Sequence, residues 1–483
     1  MSATRKVRGL RLATAAIAAL AGVALAGPKV PSPVQDTGDY GNGVGRTVAL
    51  SMPAYQDLKG LGTVRFDEFP LDAGLHVDLD LRHVQVFAPD ARIEVMGVDG
   101  PSLRPVPDVL TYVGSVEGDA ESSVMLSLSP HGLNGYVITN GETWVLSSGP
   151  YGFGGPAVIY SLTHLPPDAI NWAAWQCEAV PDADIDVTAP DQVAAPESGA
   201  CRRVRMAIDT DNAFLDTLFG GDTEAAEAYV ATIFAGATEI YSRDVNVEFA
   251  VTYLRLWDGT AAPYVAPALD ARLEEFRMEW NRNQTAIERD LAHLLCGDAI
   301  GGGIARFNSV CARSFGYAVS GELEGFFPYP LATRNDQNWD IIVVTHEIGH
   351  NMSARHTHEL GIDGCGNGNC AGSFNGTIMS YCHLCPPNFI GNINLVFHPT
   401  NINQINTFMA ALPCNLSCPP PITFTFPNGL PDLAAPIGAT FIDVQITGGA
   451  APGVDPAFST MTYAFGNGVK RTVPLQHLGG ANY

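Results

Sequence analysis

The residues with the clearest chemical potential are three histidines and a glutamate between positions 346 and 356. Residues 346–350 read H-E-I-G-H, which has the pattern H-E-x-x-H. On a helix, His346 and His350 project from the same face, so both imidazoles can bind one metal ion. Glu347 can then hold a metal-bound water and take its proton. His356 is placed to be a third ligand. Three protein ligands leave a tetrahedral zinc one open position, which is typical of catalytic zinc.

The helix must end between His350 and His356 if the third imidazole is to turn back toward the metal. The longer pattern H-E-x-x-H-x-x-G-x-x-H ends the helix with a glycine, which adopts a positive φ easily. This sequence has Ser353 at that position. A left-handed serine costs about 1–2 kcal/mol. We therefore expect a strained or weakened site in which His356 still reaches the metal.

A second pattern follows at residues 377–381, which read T-I-M-S-Y. Together with the three histidines, it resembles the metzincin zinc metallopeptidases, most nearly the reprolysin-like (adamalysin-type) family. The resemblance implies one catalytic zinc and a methionine, Met379, that forms a hydrophobic floor under the imidazoles. In the similar astacin- and serralysin-like enzymes, a tyrosine at the position of Tyr381 approaches the metal. Tyr381 is therefore a candidate catalytic residue, with simple packing as the other interpretation.

The resemblance implies a zinc metalloendopeptidase in which His346, His350 and His356 bind zinc and Glu347 is the general base. Two alternatives stay open. A catalytically weak or dead metzincin scaffold, acting as a secreted binding or adhesion protein, is favoured by Ser353. A zinc amidase that acts on non-peptide substrates is compatible with the same ligands. Calcium occurs in such enzymes, but the sequence contains no D-x-D-x-D-G ligand loop.

The composition limits the partners. A chain of 483 residues with 46% hydrophobic residues is long enough for more than one domain with its own core. The formal net charge of −24 argues against nucleic acid and against an anionic membrane surface. Protein or peptide substrates are the expected partners, and the sequence does not predict the oligomeric state.

The first 26 residues have the features of a signal peptide. Four basic residues precede a short apolar run at residues 12–25, and Ala24-Leu25-Ala26 fits the small-x-small cleavage rule. The run is short for a membrane span. We therefore expect a secreted, extracellular protein, with the periplasm as the alternative location.

Ten cysteines fit an oxidising compartment, and we expect most of them to form disulfides. Cys177 has two interpretations. Its thiolate could bind the zinc and keep the enzyme latent, a cysteine switch that the family resemblance makes conceivable. Alternatively it forms a disulfide, for instance with Cys201. We favour the disulfide because the number of cysteines is even.

The region before the H-E-x-x-H divides into two parts and a linker. Residues 27–177 show the alternation of β-strands, for example at 75–81 and 123–128, and predict a β-rich pro-domain. Residues 112–148 resemble the pro-domains of reprolysin-like enzymes. Residues 178–200 are rich in Ala, Pro and Asp, which is typical of a linker.

Residues 201–418 predict a metzincin-like catalytic domain of the α/β (α+β) class, with a mixed sheet and the zinc helix. The patterns indicate a first strand at residues 204–209, a strand at 245–257 and an edge strand for extended substrates near 301–321. Helices are predicted at 223–242, at 266–295 with His293 on it, and at 394–412. Residues 419–483 predict a small, incomplete β module without a readable function.

Overall fold

The computed structural model describes residues 27–164, 200–329, 339–386 and 389–418, and four short strands beyond residue 422. Within the described residues, the N-terminal part contains one α-helix, α1 (Met52–Leu58), a short 3-10 helix (Leu162–His164) and twelve strands. The strands are β1 (Lys29–Pro31), β2 (Val34–Tyr40), β3 (Gly45–Leu50), β4 (Thr63–Asp72), β5 (Leu75–His83), β6 (Phe87–Gly97), β7 (Gly100–Arg104), β8 (Leu110–Val116), β9 (Ser123–Ser129), β10 (Gly132–Thr139), β11 (Glu142–Ser147) and β12 (Ala157–Ser161).

The following part alternates strands and helices. Its strands are β13 (Arg202–Thr210), β14 (Val247–Trp257), β15 (Leu291–Leu295), β16 (Gly303–Ala305) and β17 (Tyr317–Ser320). Its helices are α2 (Asn212–Asp216), α3 (Thr223–Val245), α4 (Leu269–Asn283), α5 (Trp339–Asn351) and α6 (Pro399–Ala411). Further on, β18 (Thr423–Thr425) pairs with β19 (Gln445–Thr447), and β20 (Thr460–Ala464) pairs with β21 (Lys470–Pro474), both antiparallel. None of the helices described has the length and apolar character that a membrane crossing requires.

Ten of the N-terminal strands form one sheet in the order β1-β4-β5-β8-β9-β10-β11-β12-β3-β2. Every residue of β9 is buried, although its sequence alternates serine with apolar residues. Val124, Leu126 and Leu128 belong to the core of the N-terminal sheet. The opposite face of β9 packs against α3, where the hydroxyl oxygens of Ser127 and Thr232 lie 2.7 Å apart. The strand is therefore buried on both sides.

A seven-stranded sheet has the order β16-β17-β15-β13-β14-β6-β7. β13, β14, β15 and β17 are parallel, and β16 runs antiparallel to β17 at one edge. Helices cover both faces, with α3 and α5 on one and α4 on the other. A Cβ on Gly236 of α3 would lie 2.5 Å from the Ile341 side chain, so this glycine lets α3 and α5 approach closely. This mixed sheet with flanking helices confirms the predicted metzincin-like fold class.

One predicted helix is wrong in its second half. The helix expected at 266–295 ends at Asn283, and Leu291–Leu295 form the buried strand β15. A short apolar run buried on both faces of a parallel sheet has no alternation, so its sequence does not separate strand from helix. His293 therefore lies on a central strand, where its Nε2 is 2.8 Å from the Ser320 hydroxyl. It remains a packing residue.

The seven-stranded sheet includes two strands that the sequence did not assign to it. β6 pairs in parallel with β14, and β7 pairs with β6, although both come from the predicted pro-domain. The division of the chain into pro-domain, linker and catalytic domain stays a prediction. Residues 27–164, which belong to the predicted pro-domain, nevertheless supply two strands to the sheet against which the H-E-x-x-H helix packs.

Four disulfides confirm that most cysteines are paired: Cys201–Cys418, Cys311–Cys414, Cys365–Cys382 and Cys370–Cys385. The suggested pair of Cys177 with Cys201 is wrong, because Cys201 bonds to Cys418 and so joins the two ends of the 201–418 region. Cys296 is a buried free thiol. Cys177 lies outside the described residues.

Candidate metal centre and active site

The helix α5 holds the first two histidines inside the protein. Asp340, at its first turn, is buried and accepts hydrogen bonds from the Tyr229 hydroxyl and from the backbone N–H groups of Glu324 and Gly325, at 2.8–3.1 Å. Beyond its favourable position at the positive helix end, Asp340 thus ties α5 to α3 and to the preceding loop. Burial raises the pKa of Asp340 to about 6.

The end of α5 explains how the chain returns to the metal centre without a glycine. Ser353 has a φ of +79°, the left-handed conformation predicted for this position. Its N–H donates to the His350 carbonyl at 3.0 Å, and the Ala354 N–H donates to the Gly349 carbonyl at 2.9 Å. These two bonds form a Schellman motif, which normally has glycine at the left-handed position. The turn stops the helix and sends the chain back toward His356.

The three predicted ligands converge on one point. Nε2 of His350 lies 3.1 Å from Nε2 of His346 and 3.0 Å from Nε2 of His356. Nitrogen ligands of a tetrahedral zinc, at about 2.0–2.1 Å from the metal, are roughly 3.3 Å apart. The three atoms also form a group in which one metal ion could be held. The residues present therefore fit a zinc ion with three protein ligands.

The second nitrogen of each imidazole is already used, which directs Nε2 toward the metal. Nδ1 of His346 is 2.7 Å from the Ile378 carbonyl oxygen, and Nδ1 of His350 is 2.8 Å from the Ala354 carbonyl oxygen. Both nitrogens must donate to these oxygens, so Nε2 carries the free lone pair. Burial lowers the pKa of His346 to about 3 and lowers that of His350 as well. Neutral imidazole is the form that binds metal.

Glu347 lies one position along α5 and is buried. Neither of its carboxylate oxygens has a hydrogen-bond partner within the described residues. Burial raises the pKa of this carboxyl. Its side chain touches the edge strand β16, where a Cβ on Gly303 would lie 2.5 Å from Oε1. A buried carboxylate without a protein partner, beside the metal ligands, is free to bind a water or a substrate.

The predicted methionine turn packs against α5 from below. The Met379 side chain is buried, and a Cβ on Gly349 would lie 2.6 Å from its sulfur atom. The Thr357 N–H donates to the Met379 carbonyl oxygen at 3.0 Å. The same turn supplies the Ile378 carbonyl that orients His346. Two segments distant in sequence thus position the three imidazoles together.

The Tyr381 ring lies against this cluster. Its centroid is 4.5 Å from that of His356 and 6.1 Å from that of His346, and the residue is buried. The ring also contacts His358 and His383, which surround the site without joining the three ligands. This position is compatible with both interpretations of Tyr381, and its catalytic role stays a prediction.

Comparison with known proteins agrees with this geometry. The sequence model of metallo-peptidase family M12, reprolysin type, matches residues 200–389. Residues 200–389, which include the three histidines and Glu347, are thus similar to reprolysin-type metallopeptidases. That family is zinc-dependent, and the three histidines of this chain form a group that could hold one metal ion.

Two individual proteins are similar to this chain. The rat (Rattus norvegicus) disintegrin and metalloproteinase domain-containing protein 1 is 23% identical over 266 residues, which are 54% of this chain and 32% of that protein. The chain thus aligns with about a third of that relative's length. The crystal structure of metalloproteinase-II from Bacteroides fragilis is 10% identical, with a TM-score of 0.38, over 72% of this chain and 90% of the other.

Two residues of this candidate site were not identified from the sequence alone. Glu359 accepts a hydrogen bond from Nδ1 of His356 at 3.0 Å, so the third ligand is held by a carboxylate where the other two are held by backbone carbonyls. Its spacing of three positions from His356 was a usable signal. Gly303 lies within the edge-strand region predicted near 301–321, but its contact with Glu347 depends on the tertiary structure.

Proposed function

We propose that this chain is an exported zinc endopeptidase that is made as a zymogen. The observation that carries the proposal is the convergence of the Nε2 atoms of His346, His350 and His356 within 3.0–3.1 Å, beside a buried Glu347 carboxylate whose oxygens have no described protein partner. The first feature matches a zinc with an open position, and the second matches a general base.

The chain's own residues have separate roles in this proposal. A zinc ion held by His346, His350 and His356 would lower the pKa of a coordinated water to about 7 and would polarise the carbonyl of the scissile peptide. Glu347 accepts a proton from the attacking water and donates it to the leaving amine. The edge strand β16 aligns an extended substrate beside Glu347 by main-chain pairing.

The Tyr381 hydroxyl is proposed to donate a hydrogen bond to the carbonyl oxygen of the scissile peptide as negative charge develops there. Its ring already packs 4.5 Å from His356 between centroids, which puts the side chain at the border of the site. Removal of a single donor of this type typically reduces kcat by about 10²–10³-fold. A Tyr381→Phe variant with unchanged kcat would assign the residue to packing.

The export and latency of the enzyme rest on the sequence and on the disulfides. The basic and apolar segment at residues 1–26 has the pattern of a signal peptide, and the four disulfides fit an oxidising compartment. We expect the exported chain to begin at Gly27, which N-terminal sequencing of the secreted protein tests. Latency predicts weak casein cleavage by the intact chain and stronger cleavage after proteolysis within residues 178–199.

The mechanism is tested by Glu347→Gln in the proteolysed chain. The amide keeps the size of the side chain but cannot take the proton, so we expect one zinc per chain and a loss of casein hydrolysis of at least about 10²–10⁴-fold. Glu121→Gln, at an exposed position, is the matched control and should keep full activity. Hydrolysis by Glu347→Gln at the wild-type rate would exclude Glu347 as the base. A wild-type chain without zinc would refute the metal centre.

A further inference from the structure

We infer that residues 27–164 are a permanent structural part of the catalytic fold, which stays bound when the chain is cut between them and residue 200. This inference deepens the proposed function, because it says what activation by proteolysis leaves behind. A removable pro-domain would be expected to pack on a finished catalytic domain. Here residues 27–164 and residues 200–418, which we call the catalytic part, share a sheet, a core and a set of buried hydrogen bonds.

The shared sheet is the first observation. β6 pairs with β14 over residues Val251–Trp257, and β7 adds one more strand outside it. Without these two strands, β14 would expose an edge of unpaired backbone groups. At this end of the sheet, the Arg104 guanidinium on β7 lies 2.7 Å from the carboxylate of Glu227 on α3, which is buried.

The shared core is the second observation. α3 is buried along most of its length, because the seven-stranded sheet covers one side and the N-terminal sheet the other. Glu239 of α3 accepts hydrogen bonds from the Ser123 hydroxyl at 2.8 Å and the Tyr136 hydroxyl at 2.9 Å. Removal of residues 27–164 would expose an apolar helix face and leave this buried carboxylate with fewer partners.

Residues 327–329, which follow β17, provide the third observation. The Tyr329 ring is buried against Tyr40 and Phe153, at centroid distances of 5.7 and 5.1 Å. Its hydroxyl donates to the Pro156 carbonyl oxygen at 2.7 Å. In the reverse direction, the hydroxyls of Ser147 and Tyr160 donate to the carbonyl oxygens of residues 327 and 328. The catalytic part thus inserts a side chain into the N-terminal part.

The contacts between the two parts lie away from the three histidines. β6 and β7 lie at the sheet edge opposite to β16, the strand beside Glu347. The Nδ1 hydrogen bonds of the three histidines go to Ile378, Ala354 and Glu359 and so stay within the catalytic part. Residues 27–164 can therefore remain attached during turnover.

The test uses the full chain with a recognition sequence for a site-specific protease inserted within residues 178–199. After cleavage, we expect both fragments to co-elute in gel filtration, to separate only in denaturant, and to hold one zinc per complex. Release of the N-terminal fragment, with zinc and circular dichroism retained by the rest, would overturn the inference. Peptide hydrolysis is read separately: a stable but inactive complex contradicts the proposed function and leaves this inference standing.

Tyr329→Ala in the cut protein measures the contact directly. Loss of a buried aromatic ring should increase the dissociation constant of the two fragments on the order of 100-fold. Val265→Ala, at an exposed position of the catalytic part, is the control and should leave it unchanged. If Tyr329→Ala does not fold, Tyr329→Phe removes only the hydroxyl bonded to Pro156, with an expected increase of roughly 5–10-fold. An unchanged constant in the folded variant would contradict the inference.

Discussion

The two edges of the seven-stranded sheet are treated in opposite ways. At one edge, β16 is only three residues long, and Gly303 brings its backbone against the Glu347 carboxylate. Toward the other edge, the eleven-residue β14 is paired with β6, and the five-residue β7 is the outermost strand; β6 and β7 both come from the N-terminal part of the chain. A long exposed edge invites unwanted strand pairing, whereas a short one beside the site can pair with a substrate. Changes at the first edge should therefore affect turnover, and changes at the second should affect stability.

Gly303→Ala is the sharpest test of the first edge. The added Cβ would lie 2.5 Å from Oε1 of Glu347, so the carboxylate must move. A displacement of about 1 Å at a catalytic group can cost roughly 10²-fold, and we expect this loss in kcat/KM with zinc content and melting temperature unchanged. Ile304→Val on the same strand is the control. Full activity in Gly303→Ala would show that the close contact is not needed.

Glu359→Ala tests the metal centre independently of the two sheet edges. Loss of the carboxylate that holds Nδ1 of His356 should weaken zinc binding about 10–100-fold, measured by competition with a chelator. Glu359→Gln keeps an acceptor without the charge and should recover part of the affinity. If Glu359→Ala binds zinc as tightly as wild type, the carboxylate does not orient the third ligand.

Arg104→Ala tests the covered edge through its pH dependence. Burial raises the pKa of Glu227 to about 7, although Arg104 opposes the shift. Because the folded pKa lies above the unfolded value of 4.5, this carboxyl makes the protein less stable as the pH rises from about 4.5 to 7. Without Arg104, Glu227 should cost roughly 1–3 kcal/mol at pH 8 and little at pH 5.

Chemical denaturation of Arg104→Ala at pH 5 and pH 8 measures the change in the free energy of unfolding. We expect the folded variant to hydrolyse casein at the wild-type rate. Lys59→Ala removes an exposed ion pair with Asp108 elsewhere in the N-terminal part and should change stability by less than about 1 kcal/mol at either pH. A loss of activity in folded Arg104→Ala would break the distinction between the two edges.

Ser353→Gly should give the smallest effect. Glycine occupies the left-handed conformation without the Cβ penalty, so we expect a gain of about 1 kcal/mol in the free energy of unfolding, with zinc affinity unchanged. Ser353→Val, a β-branched control, should be destabilising instead. A large increase of activity in Ser353→Gly would mean that the serine weakens the site itself.

The local parts of the site were predictable from the sequence. The spacing of His346, His350 and Glu347 follows from the helical period, and the left-handed conformation of Ser353 follows from the need to end that helix. Met379 and Tyr381 were found by resemblance to a family, and the structure packs Met379 against Gly349 of the ligand helix and Tyr381 against His356. The sequence predicted that most cysteines form disulfides, but the one suggested pair was wrong. Connectivity depends on which segments meet in space, as Cys201 and Cys418 do.

The sequence by itself determined the elements whose cause is local: the ligand helix, its terminating turn and the alternating strands. β9 shows where this information ends. Its serines predict an exposed face, yet that face is buried against α3, where Ser123 and Ser127 bond to side chains more than 100 positions away. Only the tertiary structure decided this burial, the place of β6 and β7 in the seven-stranded sheet, and the contact of Gly303 with Glu347. Each depends on free energy gained between distant segments, which leaves no periodic pattern in either segment alone.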